Sequence, residues 1–108
     1  YNSTPTWSPD GKRIAFAGFD RKKNNFDIFI QDWNGFNLER LTAAKKSNGK
    51  WANNKSPTFS PDGRHIMFTS DRFGTEQLFI INTDGTNERR ITKDRYNYEK
   101  PKWSNILE

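Results

Sequence analysis

The chain has 108 residues, 31% of them hydrophobic, and a mean hydropathy of −1.07, with no apolar run long enough for a membrane-spanning helix. Its 18 Lys and Arg against 13 Asp and Glu leave a net charge of +5. The basic residues come in scattered pairs such as Lys22–Lys23, Lys45–Lys46 and Arg89–Arg90, so they do not form a nucleic-acid-binding arm. The absence of cysteine excludes a disulfide framework, thiolate metal sites and a cysteine nucleophile, while an aromatic share of 15% argues for a packed core.

The predicted elements are short strands separated by turn residues. A first strand is centred on Thr4–Ser8. Ser8-Pro9-Asp10-Gly11 then closes a hairpin: Pro fixes φ at the second turn position, Asp tolerates the third, and Gly supplies the positive φ. A second strand follows at Arg13–Ala17 and a third at Asp27–Gln31. Asn34-Gly35 marks the next hairpin and Leu38–Thr42 a fourth strand. Ala43–Ser56 reads as a long linker.

The pattern then begins again. Thr58–Phe68, TFSPDGRHIMF, repeats Thr6–Phe16, TWSPDGKRIAF, with seven of eleven positions identical at an offset of 52 residues. Strands are predicted at Pro57–Ser60, His65–Thr69, Gln77–Ile81 and Glu88–Thr92, with Asp84-Gly85 as the hairpin signal and Lys93–Lys100 as a linker. Pro101–Ser104 opens a third copy. The organisation is therefore a first unit with its linker (1–55), a second with its linker (56–100), and a stub (101–108). The Leu107–Glu108 end reads as the remnant of an expression tag, and the chain as a piece of a longer protein. No stripe of helical period survives the breakers, so the fold class is all-β.

The strands are apolar on both faces. Ile14 and Phe16 oppose Ala15 and Ala17; Ile28 and Ile30 oppose Phe29; Leu78 and Ile80 oppose Phe79 and Ile81. A sheet with one wet face would alternate apolar with polar, so both faces are expected to be covered. Repeating four-stranded antiparallel meanders covered on both sides by their neighbours are the blades of a β-propeller.

The stretch Pro57–Thr92, PTFSPDGRHIMFTSDRFGTEQLFIINTDGTNERRIT, resembles the repeat of the TolB-like β-propeller family. That repeat has a Pro-x-Trp-Ser-Pro-Asp-Gly-Lys opening, a Ser-Asp-Arg-x-Gly loop and a Leu-Thr close. The first unit matches too, except that Gly18-Phe19-Asp20-Arg21-Lys22-Lys23-Asn24-Asn25 replaces the Ser-Asp-Arg-x-Gly loop. The resemblance implies a six-bladed ring and a non-enzymatic, protein-binding role. It also implies a periplasmic location, with an envelope lipoprotein or another protein or peptide as partner. Similar repeats accompany serine peptidases of the prolyl oligopeptidase and tricorn types, which makes an accessory peptidase propeller the alternative.

Two blades cannot close such a ring. If each end face bares roughly 400–600 Å² of apolar surface, covering both is worth on the order of 20–30 kcal/mol before the costs of association. The expectation is a homo-oligomer, three copies making six blades head to tail. Pro101–Ser104 is expected to cross into a neighbouring blade as a clasp.

No catalytic constellation, metal site or cofactor is predicted. His65, the only histidine, is expected at a strand edge, with nearby Ser60 and Asp62 serving the turn. Asn82–Glu88 lacks the ladder of acidic ligands of a calcium loop. Asp20, Asp27 and Asp32 are expected as turn and cap groups. Trp7, Phe59 and Trp103 share one repeat position and are expected to anchor packing between blades. The candidate partner-binding residues lie on loops: Lys50, Trp51, Asp71, Arg72, Arg95, Tyr96 and Tyr98. Aromatic and basic residues together suit a protein or peptide; no nucleic-acid motif accompanies them.

Overall fold

The computed structural model describes residues 5–91 as two four-stranded antiparallel sheets, with no helix among those residues. The first sheet runs β1 (Thr6–Trp7), β2 (Arg13–Asp20), β3 (Asn25–Asp32) and β4 (Glu39–Arg40), each strand pairing with the next. The second repeats that meander with β5 (Asn54–Phe59), β6 (His65–Ser70), β7 (Gln77–Asn82) and β8 (Arg89–Arg90). The proposed clasp, Pro101–Ser104, lies outside the described residues.

The turn between β1 and β2 is built by side chains as well as backbone. The Gly11 amide donates to the Ser8 carbonyl at 2.9 Å. The Ser8 hydroxyl accepts from the Arg13 amide and donates to the Asp10 carboxylate. Ser60, Asp62, Gly63 and His65 repeat every one of these bonds between β5 and β6. The β3–β4 turn places Gly35 at φ +90° after an Asp32-to-Gly35 turn, and the β7–β8 turn places Gly85 at +87°. Asn34 and Asp84 keep negative φ, so these are turns with a glycine bulge and not the two-residue Asn-Gly hairpin.

The core lies between the sheets. Ala15, Ala17, Ile28 and Ile30 of the first sheet pack against Ile66, Phe68, Phe79 and Ile81 of the second, with Phe59 at the margin. Small alanines opposite large phenylalanines let the two layers interlock. By repeat equivalence, Ile66, Phe68 and Phe79 correspond to Ile14, Phe16 and Phe29. Those three line an open groove of about 660 Å³ on the outer face of the first sheet, with Leu38 and Gln31. One blade thus already covers in its neighbour the kind of face that it leaves open in itself. Trp7 and Phe59 make the point at a single position: Phe59 is 7% exposed and Trp7 54%. Phe59 is the anchor expected; Trp7 has no described residue covering it to that degree.

Two expectations need correction. Bare apolar faces were anticipated at both ends of the stack, but Met67, Leu78 and Ile80, on the far side of the second sheet, are buried. Among the described residues, the open apolar face is the outer one of the first sheet. Asp27, expected as a turn or cap group at the start of the third strand, lies inside β3, which begins at Asn25, and is completely buried.

β2, β3, β5, β6 and β7 are longer than the apolar pattern suggested, whereas β1, β4 and β8 are shorter, with two residues each. β5 begins at Asn54, three residues before Pro57, and a register shift between Lys55 and Thr58 absorbs the interruption, with Ser56 at φ +55°.

Candidate functional site

The linker between the blades is not a plain loop. Lys45 bridges Trp51, the Ala52 amide donates to Ala44 at 2.8 Å, and Gly49 closes the tip at φ +84°. These bonds make a miniature hairpin over residues 44–52. Ser47-Asn48-Gly49 is the sequence signal for it, and the apolar-strand reading passed over it because the flanking residues are mostly polar.

The hairpin is pinned to both sheets. Asn25 Nδ2 donates to the Ala52 carbonyl at 2.9 Å, the Phe26 amide to Asn53 Oδ1 at 2.9 Å, and Asn54 Nδ2 to Asp27 Oδ1 at 3.0 Å. Three successive residues of β3 therefore bond to Ala52, Asn53 and Asn54, the last two linker residues and the first residue of β5. From the second sheet, Asp71 accepts from the Asn53 amide at 2.8 Å and returns its own amide to the Asn53 carbonyl at 3.2 Å.

Trp51 is held half-buried by this frame, and cations gather on it. The Lys23 ammonium lies 4.0 Å from the ring centroid and that of Lys45 4.8 Å. Lys46 reaches Asp71 at 3.2 Å. Lys23, Asn24, Lys46, Lys50, Trp51 and Asn53 line a recess of about 460 Å³. Of the residues the sequence singled out, Lys50 and Trp51 meet in this recess and Asp71 supports its wall. Lys23, Lys45 and Lys46 were missed. Lys23 lies 28 residues before Trp51, and only the packing of the β2–β3 turn against the linker brings the two together.

Arg72 is turned elsewhere. Its guanidinium lies 3.9 Å from the Phe79 ring centroid and donates to Glu88 at 2.9 Å and to Ser70, leaving the side chain 12% exposed. It braces β6, β7 and the β8 turn. Arg95, Tyr96 and Tyr98 lie outside the described residues.

Elsewhere the polar groups are engaged structurally. Ser60 Oγ donates to Asp62 and not to His65, whose Nδ1 stands 4.0 Å from Asp62 Oδ1. That is not a base–nucleophile arrangement, and the first turn makes the same bonds with Arg13 in the place of His65. Asp84 accepts from the Thr86 amide and hydroxyl, closing the Asn82–Glu88 segment as a turn. Asp20 accepts from the Lys22 and Lys23 amides, and Asp32 from Asn37, as expected of turn groups. Among the described residues no three His, Cys, Asp or Glu are grouped to hold a metal ion, and no helix is long and apolar enough to cross a membrane.

Two stacked four-stranded meanders joined by such a linker define a pair of propeller blades. The chain belongs to the TolB beta propeller domain family (PD40), which it matches over residues 1–106. It is 37% identical over 90 residues to the uncharacterized protein Atu1656 of Agrobacterium fabrum, covering 83% of this chain and 28% of that one. It is 33% identical over 106 residues to the uncharacterized peptidase YuxL of Bacillus subtilis, covering 93% of this chain and 15% of that one. It is 34% identical over 71 residues to the Tol-Pal system protein TolB of Alcanivorax borkumensis, covering 66% and 15%. A solved Agrobacterium tumefaciens structure with a TolB designation superposes with a TM-score of 0.77 at 34% identity, covering 90% of this chain and 32% of that one. The β-propeller domain of the trilobed protease from Pyrococcus furiosus shares the fold, with a TM-score of 0.62 at 22% identity, covering 88% and 30%. The chain thus spans about a third or less of each of these proteins.

Proposed function

We propose that these blades serve in a non-enzymatic, protein-binding propeller of the TolB type, with the binding surface on the end that carries the linkers and the β2–β3 and β6–β7 turns. The observation that carries this reading is the recess around Trp51, where an ordered aromatic and three lysines of the 44–52 hairpin meet Lys23 of the β2–β3 turn. Rigid sheets presenting such a loop cluster are how propellers offer recognition surfaces. Arg95, Tyr96 and Tyr98, in the corresponding linker after the second blade, belong to the same proposed surface. A periplasmic location, with an envelope lipoprotein or another protein or peptide as partner, goes with this reading. Selecting binders from a random peptide library tests it. Selected peptides should lose affinity when Trp51 or Lys50 is substituted and keep it when Lys12 or Arg64, on the opposite turns, are. Peptides that select only the opposite turns, or no binders at all, would overturn it.

The proposal includes self-association. The Ile14–Phe16–Phe29 face matches the face of the second blade that is already covered, so a second copy can dock on it head to tail, closing at three copies and six blades. The far face of the second sheet is buried in the single chain, so it has to open to complete the ring. Light scattering should give three times the chain mass; a single-chain mass at every concentration would refute this.

The alternative, an accessory propeller of a serine peptidase, is favoured by the relationship to YuxL. A Gly-x-Ser-x-Gly nucleophile motif in the remainder of the gene would select it.

A further inference from the structure

We infer that the Trp51 recess receives an acidic peptide segment, one that lays closely spaced Asp or Glu carboxylates among Lys23, Lys45, Lys46 and Lys50. The inference rests on the protein-binding reading and names the chemistry of its partner.

The charge balance is the first support. Lys23, Lys46 and Lys50 line the recess and Lys45 stands over the Trp51 ring beside it, while the carboxylate of Asp71 pairs with Lys46. Asp71 is committed on its other side, since Oδ1 takes the Asn53 amide and Oδ2 faces Asn53 Nδ2 as well as Lys46. Lys23, Lys45 and Lys50 form no ion pair with a described carboxylate, and Arg21 and Lys22 add to the positive field from the β2–β3 turn. An incoming carboxylate therefore relieves repulsion among like charges and displaces no existing pair except that of Lys46.

Preorganisation is the second. Free lysines are costly ligands because four rotatable bonds must be frozen on binding. Here Trp51 already holds the Lys23 and Lys45 ammonium groups over its ring, and the ring is fixed by the 44–52 hairpin. The recess, at about 460 Å³, suits a few side chains of a bound segment.

The same cations choose between classes of anion. Proteins that bind single-stranded nucleic acid offer aromatic faces on which bases stack. The space over Trp51 is occupied by two ammonium groups, so the recess presents charge to its ligand and not a stacking platform. Carboxylates on a peptide meet what it offers; a nucleobase does not.

The test is fluorescence anisotropy with a short labelled Glu-Gly-Ser peptide, its Gln counterpart, an oligouridylate of equal charge and, by co-sedimentation, phosphatidylglycerol vesicles. The Glu peptide should bind at least about tenfold more tightly than the Gln peptide and weaken with added salt. The Lys23→Gln/Lys45→Gln/Lys50→Gln variant should lose about tenfold or more, while Lys12→Gln/Arg64→Gln/Arg89→Gln, with the same change in charge, should change about twofold or less. Independently of any variant, saturating Glu peptide should protect Lys23, Lys45 and Lys50 of the unaltered chain from acetylation. Equal binding of the Glu and Gln peptides, equal losses in the two triple variants, absence of protection, or tighter binding of the oligouridylate or the vesicles would each overturn the inference. Library-selected peptides that occupy the loop end but ignore the lysine variant would remove this site and leave the broader reading standing. Failure of every peptide to occupy the loop end would remove both.

Discussion

Asn54, on the first strand of the second blade, donates a 3.0 Å hydrogen bond to the buried carboxylate of Asp27, on the third strand of the first. Thr42 Oγ1 donates to the same oxygen at 2.9 Å and in turn accepts the Ile28 amide. The other carboxylate oxygen makes no hydrogen bond among the described residues and faces Arg40 Nε at 3.5 Å. The joint between blades is thus apolar through most of its area and polar at one end. Asn54→Leu removes a donor from a buried carboxyl group and an acceptor from Arg72. It should cost about 1–3 kcal/mol, read as a fall in the urea midpoint with an unchanged slope.

The equivalent phenylalanines should respond unequally. Phe68 is fully buried and stacks on Phe79, with ring centroids 5.8 Å apart; Phe16 stacks on Phe29 at 5.7 Å but lines the open groove. At concentrations where the chain is single, Phe68→Ala should cost about 3–5 kcal/mol and Phe16→Ala about 1–2 kcal/mol. The gap should narrow as concentration rises if copies cover that groove. Denaturation at graded protein concentration checks both statements.

Gly63 sits at φ +73°, and a Cβ there would lie 3.4 Å from Pro9 Cδ, because the corresponding turns of the two blades touch. Gly63→Ala should cost at least about 1 kcal/mol from backbone strain. Gly11→Ala, at φ +71° with nothing within 4 Å of the added carbon, should cost about the same, because the strain is shared and the contact with Pro9 is of ordinary van der Waals length. Thermal melts of the two variants make the comparison.

The turn carboxylates set a pH dependence. Asp10 and Asp62 are held below the ordinary 3.8 chiefly by the Ser8 and Ser60 hydroxyls, Asp84 by Thr86, and Asp20 by the Arg40 guanidinium. Each has a depressed value in the folded state, so its contribution is present above the unfolded value and lost as pH falls through the folded one. Melting temperature should hold steady above about pH 4 and drop below it. Asp62→Asn should flatten that drop, whereas an unchanged profile would mean that the Ser60–Asp62 bond contributes nothing.

The repeat was legible because its turns are spelled in Gly, Pro and Asp, whose backbone preferences act locally. The double-sided apolar strands were legible for the same reason: alternation is a property of neighbours in sequence. What escaped depends on distance along the chain. Asn54 and Lys55 carry no strand preference, and they extend β5 because Ser70 and Thr69 stand ready to pair with them. Asp27 looks like a turn residue until Asn54 and Thr42 are seen to close around it. Trp51 and Lys50 could be picked out from their types, but three of the lysines that give the recess its character could not.

Because each sheet offers one flank that fits the opposite flank of its like, copying this stretch of DNA in tandem would lengthen the stack without a single new contact having to be invented. The curvature of the assembly alone would decide when growth stops. Heredity here needs to preserve only one joint, and the count of blades becomes a matter of how often that joint is written.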